Sequence, residues 1–512
     1  MKEYLDKILN SNLAFVSSRQ GMHAILAGVI LWCWFLRSFV FPGVGPDDAE
    51  QLIFSQSFDL GYSTGNPPLI TWLVIFFQQM FGVSVITIMS LKFLLLWLAY
   101  YLMWRCAIRV LADEQLSTLA TLSLFAVYYI AWDSVFHYSN SLLMIAFIGA
   151  TFLKMLQLND NPTAKNYAWL GLLIGLGLLA KYTFILFAIP LLAAATFDSR
   201  IRQRVMHPFF FITVVIAIVI NIPHGYWMIE NHTLLQQRAI DRFSQMGSEN
   251  FFTARALGAL EVGRILFDIS MPLLAILMVI FWPACKRINW KEEPIKRYHN
   301  ILARTFLIAI GLTLLGSLVF GISRIRSHYM MILLLFPILF FARVKFSDIQ
   351  AWRLKVYAAT LTSIVCMIIF GLGLKYFVDP KRSGKAYYNI PYPAYAQQLR
   401  SSGFTHGTIF ADWHTNPIAG NLRAQFPESR VLDYLWTHYT PPKSIENGKC
   451  LIIWTPRSDG SRRREFLNQA NLILKSRIDL ETPARFLKAE MPPGGRIAQL
   501  AFVVVEGQGE CK

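Results

Sequence analysis

Apolar residues in this chain come in long runs rather than at a single short period. Runs near 23–41, 85–104, 115–131, 138–156, 166–180, 184–197, 209–228, 263–283, 303–320, 328–343 and 354–376 carry few charges. Stretches such as 303–320 and 356–376 approach the roughly 20 residues that take a helix across a bilayer. Backbone in hydrocarbon must satisfy its own hydrogen bonds, so these runs are predicted to be helices. A further run, 68–81, opens at Pro67-Pro68, is short and contains Gln78 and Gln79. It is predicted to be a peripheral or re-entrant helix. Runs 166–180 and 184–197 are also short, and Gly171, Gly175 and Gly177 on or near one face of the first predict close helix packing. Beyond residue 378 the pattern changes to short strand-like runs, Cys450 to Trp454 and Ala501 to Glu506, with helical patterns near 393–402 and 462–475. That mixture predicts a small α/β domain.

Composition agrees with a chain that faces lipid. Of 512 residues, 55% are hydrophobic and 15% charged, against the about 25% charged residues of an ordinary soluble protein. The N-terminus, Met1 to Gln20, is polar and amphipathic, and the first apolar run reads as a retained anchor rather than a cleavable signal.

The net charge of +17 has a membrane explanation, and no nucleic-acid partner is expected, because the basic residues collect in alternate loops. With 68–81 not spanning, one set of loops holds Lys2, Lys7, Arg19, Arg105, Arg109, Lys154, Lys165, Arg200, Arg202, Arg204, Lys286, Arg287, Lys291, Lys296, Arg297, Arg343, Lys345, Arg353 and Lys355. The other set holds segment 42–67, which has no Lys or Arg, the Asp133 loop, the Lys181 turn, the mixed-charge segment 229–262 and the Arg324/Arg326 turn. The positive-inside rule puts the first set in the cytoplasm and predicts about eleven spans, with the N-terminus inside and the C-terminus outside. The fold class expected is thus a polytopic α-helical membrane protein with interfacial helices in the first outer loop and an extracytoplasmic C-terminal α/β domain, divided as 1–377 and 378–512. Cys450 and Cys511 both lie in the second part, where an oxidising compartment permits a disulfide that spacing alone does not establish.

The candidate chemistry gathers on the outer side. Asp47, Asp48 and Glu50 follow the first span in the stretch Gly45-Pro46-Asp47-Asp48-Ala49-Glu50. Crowded carboxylates repel, which raises a pKa or demands a cation, and one of them suits a general base acting on a hydroxyl. The competing reading is a solvated helix start, with proline at the first turn and acids near the N-terminus. Asp133, His137, Lys181, Tyr182, His224, Arg324, Arg326 and His328 stand at outer ends of spans. Ionisable groups at membrane depth are costly and usually functional, and Lys or Arg there matches the oxygens of a lipid phosphate. Snorkelling to the interface is the alternative for each one singly.

Asp47-Asp48-Ala49-Glu50, then Leu60-Gly61-Tyr62, then Pro67-Pro68-Leu69 before Trp72 resembles the first outer loop of GT-C type glycosyltransferases. The similarity is to the bacterial protein O-mannosyltransferase-like and aminoarabinose-transferase-like group, and within it to lipid-linked galacturonosyltransferases that decorate lipopolysaccharide. It continues through Gly175 to Tyr182, Pro223 to Trp227, Arg324 to Tyr329 and Ala419 to Arg423. The resemblance implies a transmembrane catalytic domain over 1–377 and a periplasmic domain over 378–512, in a bacterial inner membrane. It implies inverting transfer from a polyprenyl-phosphate sugar donor to lipid A, a lipopolysaccharide core or another glycolipid or glycan acceptor. Asp47 then matches the general base, and Asp48 beside it, at a position usually Glu in the mannosyltransferase branch, is the second catalytic residue. Glu50, Tyr62, Asp133, His137, Lys181, Tyr182, His224, Arg324, Arg326 and His328 would bind substrate, and Lys181, Arg324 and Arg326 are the candidates for the carrier phosphate. No metal ligand is assigned, and a divalent cation is left open, for which Asp47, Asp48, Asp133 and His137 are the residues at hand.

Two other classes compete. A transporter or flippase would show internal repeats and broken helices near mid-membrane, and no repeat is evident. An envelope scaffold gives no reason for carboxylates beside a peripheral helix. No glycine-rich nucleotide loop is present either, as expected for a donor already activated on a lipid phosphate.

Overall fold

The computed structural model describes residues 2–234, 236, 251–287, 298–322, 325–344, 349–382, 387–412, 417–433, 442–445, 447–456 and 462–512. Arg324 and the His328 side chain lie outside the described residues. Among these residues, six helices are long and apolar enough to cross a membrane: Arg19–Val40, Val85–Leu111, Ser139–Asp160, Phe210–Glu230, His299–Phe320 and Ala351–Lys381. Two further pairs are bent, Glu114–Ala126 with Tyr129–Phe136 by 74° and Phe252–Ser270 with Leu273–Lys286 by 67°, which makes eight if each pair is one span. The second bend falls at Pro272, which has no N–H to continue the helical ladder. Leu69–Phe81, Ala164–Ala180, Tyr182–Thr196 and Met331–Arg343 are shorter apolar helices. Length therefore supports fewer spans than the charge pattern predicts, and the difference rests on these short elements.

The chain gathers into two compact units, each assembled from separate stretches. Unit 1 comprises Met1–Ile30, Leu94–Ser134 and Asn140–Ile368. It is helical. In it, Ala164–Ala180 packs closely along Phe210–Glu230: an added Cβ on Gly171 would lie 2.5 Å from the Thr213 carbonyl oxygen, and one on Gly175 would lie 3.2 Å from Ile220. Gly171 and Gly175 thus serve helix contact, whereas Gly177 makes room for the Phe184 ring of the following turn.

Unit 2 comprises Leu31–Phe93, Val135–Ser139 and Ile369–Lys512. It holds a five-stranded mixed sheet of β1 (Gly407–Ala411), β2 (Arg430–Asp433), β3 (Lys449–Trp454), β4 (Arg485–Glu490) and β5 (Ile497–Glu506), ordered β2-β1-β3-β5-β4. Strand β1 runs parallel to β2 and β3, while β5 is antiparallel to β3 and β4. Strand residues alternate between the two faces. Ile409, Val431, Leu451 and Ile453 pack with helices Tyr392–Ser401 and Ile418–Gln425. Phe410, Leu432, Ile452 and Trp454 pack with Arg462–Leu474 on the other face. Ile53, Phe54 and Tyr62, from the first outer segment, belong to the first of these cores.

Cys450 on β3 is bonded to Cys511 beside the chain end, across a sequence separation of 61. Both are fully buried. Closing a loop of that length stabilises by about 4 kcal/mol in the chain-entropy account. Replacing both cysteines with alanine is expected to cost about 2–5 kcal/mol in the sheet, seen as earlier thermal unfolding and faster proteolysis of the C-terminal region in detergent. Unchanged resistance would mean that the core alone holds the strands.

Candidate active site

The acidic residues predicted from sequence lie on a nine-residue helix, Pro46–Phe54, with Gly45 as N-cap and Pro46 in its first turn. Proline has no N–H to lose there, and acids in the first turn face the positive end of the helix dipole. The helix start is thus as the solvated-helix reading expects, yet the surroundings are not those of a solvated surface. Asp48 is fully buried, while Asp47 and Glu50 are half-buried.

The helix is fixed by a second one, Ile418–Gln425. The Asn421 carboxamide receives the Val44 N–H at 2.8 Å and donates to the Val44 carbonyl at 3.2 Å. At the far end, the buried Arg423 guanidinium donates to the carbonyl oxygens of Leu52 and Ser55. Those carbonyls belong to the last turn, which has no helical partners for them and carries the negative end of the dipole. Between these points the helices nearly touch: a Cβ on Gly420 would fall 2.2 Å from the Ala49 carbonyl oxygen.

Behind the acids lies a residue not singled out from the sequence. Lys92, deep in the apolar run 85–104, donates to both Asp48 oxygens, at 3.1 and 2.9 Å. Its side chain is 1% exposed and that of Asp48 0%. The Ser139 hydroxyl adds a bond to Asp48 Oδ1 at 2.7 Å. One residue earlier in each segment, the Tyr138 N–H donates to Asp47 Oδ2 at 2.6 Å. Tyr138 has φ +67°, a left-handed conformation that is costly for a residue with a Cβ and that aims this amide at the carboxylate. Next to it, His137 Nε2 and the Tyr388 hydroxyl share a hydrogen bond of 2.8 Å.

Arg37 is fully buried near the end of the first span and donates to the Gly43 carbonyl at 3.3 Å. Its guanidinium carbon lies 4.5 Å from the Tyr388 ring centre and 5.2 Å from that of Phe136, within cation–π range. Its Nε and Nη2 have no hydrogen-bond partner among the described residues. Arg37, Lys92 and Tyr388 were all missed from sequence. For Arg37 and Lys92 the signal was there, a charge inside an apolar run.

Tyr62 holds the loop itself together. Its hydroxyl donates to the Ser57 carbonyl at 2.8 Å and accepts the Asp59 N–H at 2.9 Å. Burial pushes this phenol above the usual tyrosine range. Asp412 is buried, whereas its neighbours Trp413 and His414 lie outside the described residues.

Unit 1 gathers a second set of the predicted residues. Lys181 breaks the helix after Ala180 with an extended backbone. Its ammonium donates to the Ser141 hydroxyl at 2.6 Å and stands 5.9 Å from the Tyr329 ring centre. The Tyr182 hydroxyl and His224 Nε2 share a hydrogen bond of 2.8 Å, and the His224 ring is nearly parallel to those of Tyr182 and Trp227, with centres 5.8 and 5.7 Å away. Asp133 ends a π-helical turn and is half-buried, and Arg326 is exposed. No group of three His, Cys, Asp or Glu among the described residues is placed to hold a metal ion.

Gly420→Ala should move the acidic helix, because the clash is with backbone. The expected loss is about 1–3 kcal/mol of stability, with function falling further than the amount of folded protein. Wild-type thermal stability in this variant would show that the two helices can separate freely.

Residues 65–227 match the family model described as dolichyl-phosphate-mannose-protein mannosyltransferase. The lipopolysaccharide core galacturonosyltransferase RgtB of Rhizobium johnstonii is 24% identical over 81% of this chain and 83% of its own. RgtA of the same organism, of the same description, is 26% identical over 84% of this chain and 86% of its own. The crystal structure of ArnT from Cupriavidus metallidurans bound to undecaprenyl phosphate superimposes with a TM-score of 0.58 at 14% identity, covering 95% of this chain and 98% of ArnT. The fold is that of the GT-C glycosyltransferases.

Proposed function

We propose that this chain, which carries a domain of the dolichyl-phosphate-mannose-protein mannosyltransferase family, is a membrane glycosyltransferase of lipopolysaccharide or lipid A. It takes a sugar from a polyprenyl-phosphate carrier. Support for the acceptor class comes from RgtA and RgtB, whose names describe transfer of galacturonate to lipopolysaccharide core. Support for the carrier comes from ArnT, whose structure holds undecaprenyl phosphate.

The observation that carries the catalytic reading is the state of Asp47. Its Oδ2 is held by the Tyr138 N–H at 2.6 Å, and the side chain keeps partial exposure. A carboxylate held at one oxygen on a residue that stays partly exposed is oriented to take a proton. In the reaction, Asp47 accepts the proton of an acceptor hydroxyl. That oxygen forms the new bond to the anomeric carbon from the side opposite the carrier. The bond to the carrier phosphate breaks with its electron pair, and the anomeric configuration inverts. The departing phosphate needs cationic stabilisation, and Lys181 is the residue we assign to it, with Arg324 and Arg326 as further candidates.

The basic loops favour an inner-membrane protein with a cytoplasmic N-terminus. The Cys450–Cys511 disulfide favours an oxidising periplasm for the sheet. Residues 1–377 form the catalytic part in this reading and 378–512 the periplasmic one.

Asp47→Asn should lower transfer by about 100-fold or more while the protein remains folded. The measurement is mass spectrometry of lipid A and core from cells lacking the gene and carrying the variant, together with rates from undecaprenyl-phosphate-linked galacturonate. Normal modification by this variant would remove the assignment of Asp47. An epitope placed after Lys512 should be accessible to antibody in spheroplasts without permeabilisation, and protection of it would reverse the orientation.

A further inference from the structure

Two neighbouring acids grip two neighbouring residues of one turn. Asp47 takes the N–H of Tyr138, and Asp48 takes the hydroxyl of Ser139. Both Asp48 oxygens also face the ammonium of Lys92. We propose that Lys92 is the positioning residue of this site: its buried pair with Asp48 fixes the 137–139 turn, and through that turn the direction of the Asp47 carboxylate. The inference rests on the reading of Asp47 as the base.

Three observations argue for it. First, Lys92 and Asp48 are cut off from water, so neither is placed to exchange a proton with an incoming hydroxyl. A buried charge of this kind persists only if paired. Second, the turn needs to be held. Tyr138 sits at φ +67°, and a strained non-glycine backbone survives only where its surroundings over-determine it. The Ser139 bond to Asp48 secures the residue immediately after the strain. Third, the pair links three distant segments, the acidic helix, the span Val85–Leu111 and the 137–139 turn. Asp48 then acts through Asp47 rather than beside it.

The pair predicts a rescue pattern. Lys92→Met takes the ion-pair partner from the buried Asp48 carboxylate and leaves it the Ser139 hydroxyl, whereas Asp48→Asn with Lys92→Met removes both charges and keeps an oxygen for that hydroxyl. With wild-type and variant protein purified in detergent, galacturonate transfer from the undecaprenyl-phosphate-linked donor is measured alongside thermal unfolding. Lys92→Met is expected to lower kcat at least 100-fold with the KM for donor changed less than threefold. The double variant is expected to return to within tenfold of the wild-type kcat. A folded double variant no more active than Lys92→Met would overturn the proposal, as would full activity in Lys92→Met.

Hydrogen–deuterium exchange across 134–142 supplies a readout that needs no turnover. Exchange should quicken in Lys92→Met and slow again in the double variant, even if the wild-type enzyme rejects this donor. That last result would count against the functional reading alone. Unaltered exchange in Lys92→Met would overturn the positioning role whatever the activity.

Discussion

A lysine ammonium and an aspartate carboxylate, both closed off from water, each lose hydration that an opposite charge and hydrogen bonds must offset. The Lys92–Asp48 pair imposes that condition on unit 2. Removing one partner of such a pair costs about 3–5 kcal/mol, while replacing both with neutral groups is often tolerated. A buried pair is therefore weak evidence of stability and better evidence that particular segments must meet. Here those segments are the acidic helix, a membrane span and the turn at 137–139, and the half-exposed Asp47 lies where they join.

The acidic helix has a second set of restraints from the C-terminal part of the chain. Asn421 reads the backbone before the helix, Arg423 reads the carbonyls at its end, and Gly420 allows the close approach between them. Helix Ile418–Gln425 is the crossover between the parallel strands β1 and β2, so its placement follows from the sheet. The sheet is in turn closed near the chain end by the Cys450–Cys511 bond. A disturbance of the C-terminal sheet thus has a short covalent and hydrogen-bonded route to Asp47. This gives the soluble-looking domain a structural reason to accompany the membrane helices.

The acidic cluster, the apolar helices and the strand-like C-terminal runs were legible because each is local. Three acids in four residues, a proline at the first helical turn and alternating apolar strands need no partner to be seen. Lys181 and the Tyr182–His224 pair were legible as polar residues at the ends of apolar runs. Lys92 and Arg37 were obscured because the surrounding run reads as a span whether or not it contains one charge. Tyr62 was expected at the substrate, yet its hydroxyl is committed to Ser57 and Asp59. The chemistry of a tyrosine does not reveal which backbone groups its loop brings near. The span count differs for a similar reason, since charge alternation counts crossings while short helices such as Ala164–Ala180 fall below the length that identifies a span.

By itself the sequence determined a lipid-facing helical chain, a compositionally distinct C-terminal region and an acidic segment just after the first span, because hydrophobic runs and local charge depend only on neighbours in the chain. Tertiary structure alone decided which of the acids is buried and which stays open. That distinction depends on Lys92, Tyr138, Ser139 and Arg423, between 44 and 375 residues away from Asp48 in the chain, and on whether their groups arrive within hydrogen-bonding distance.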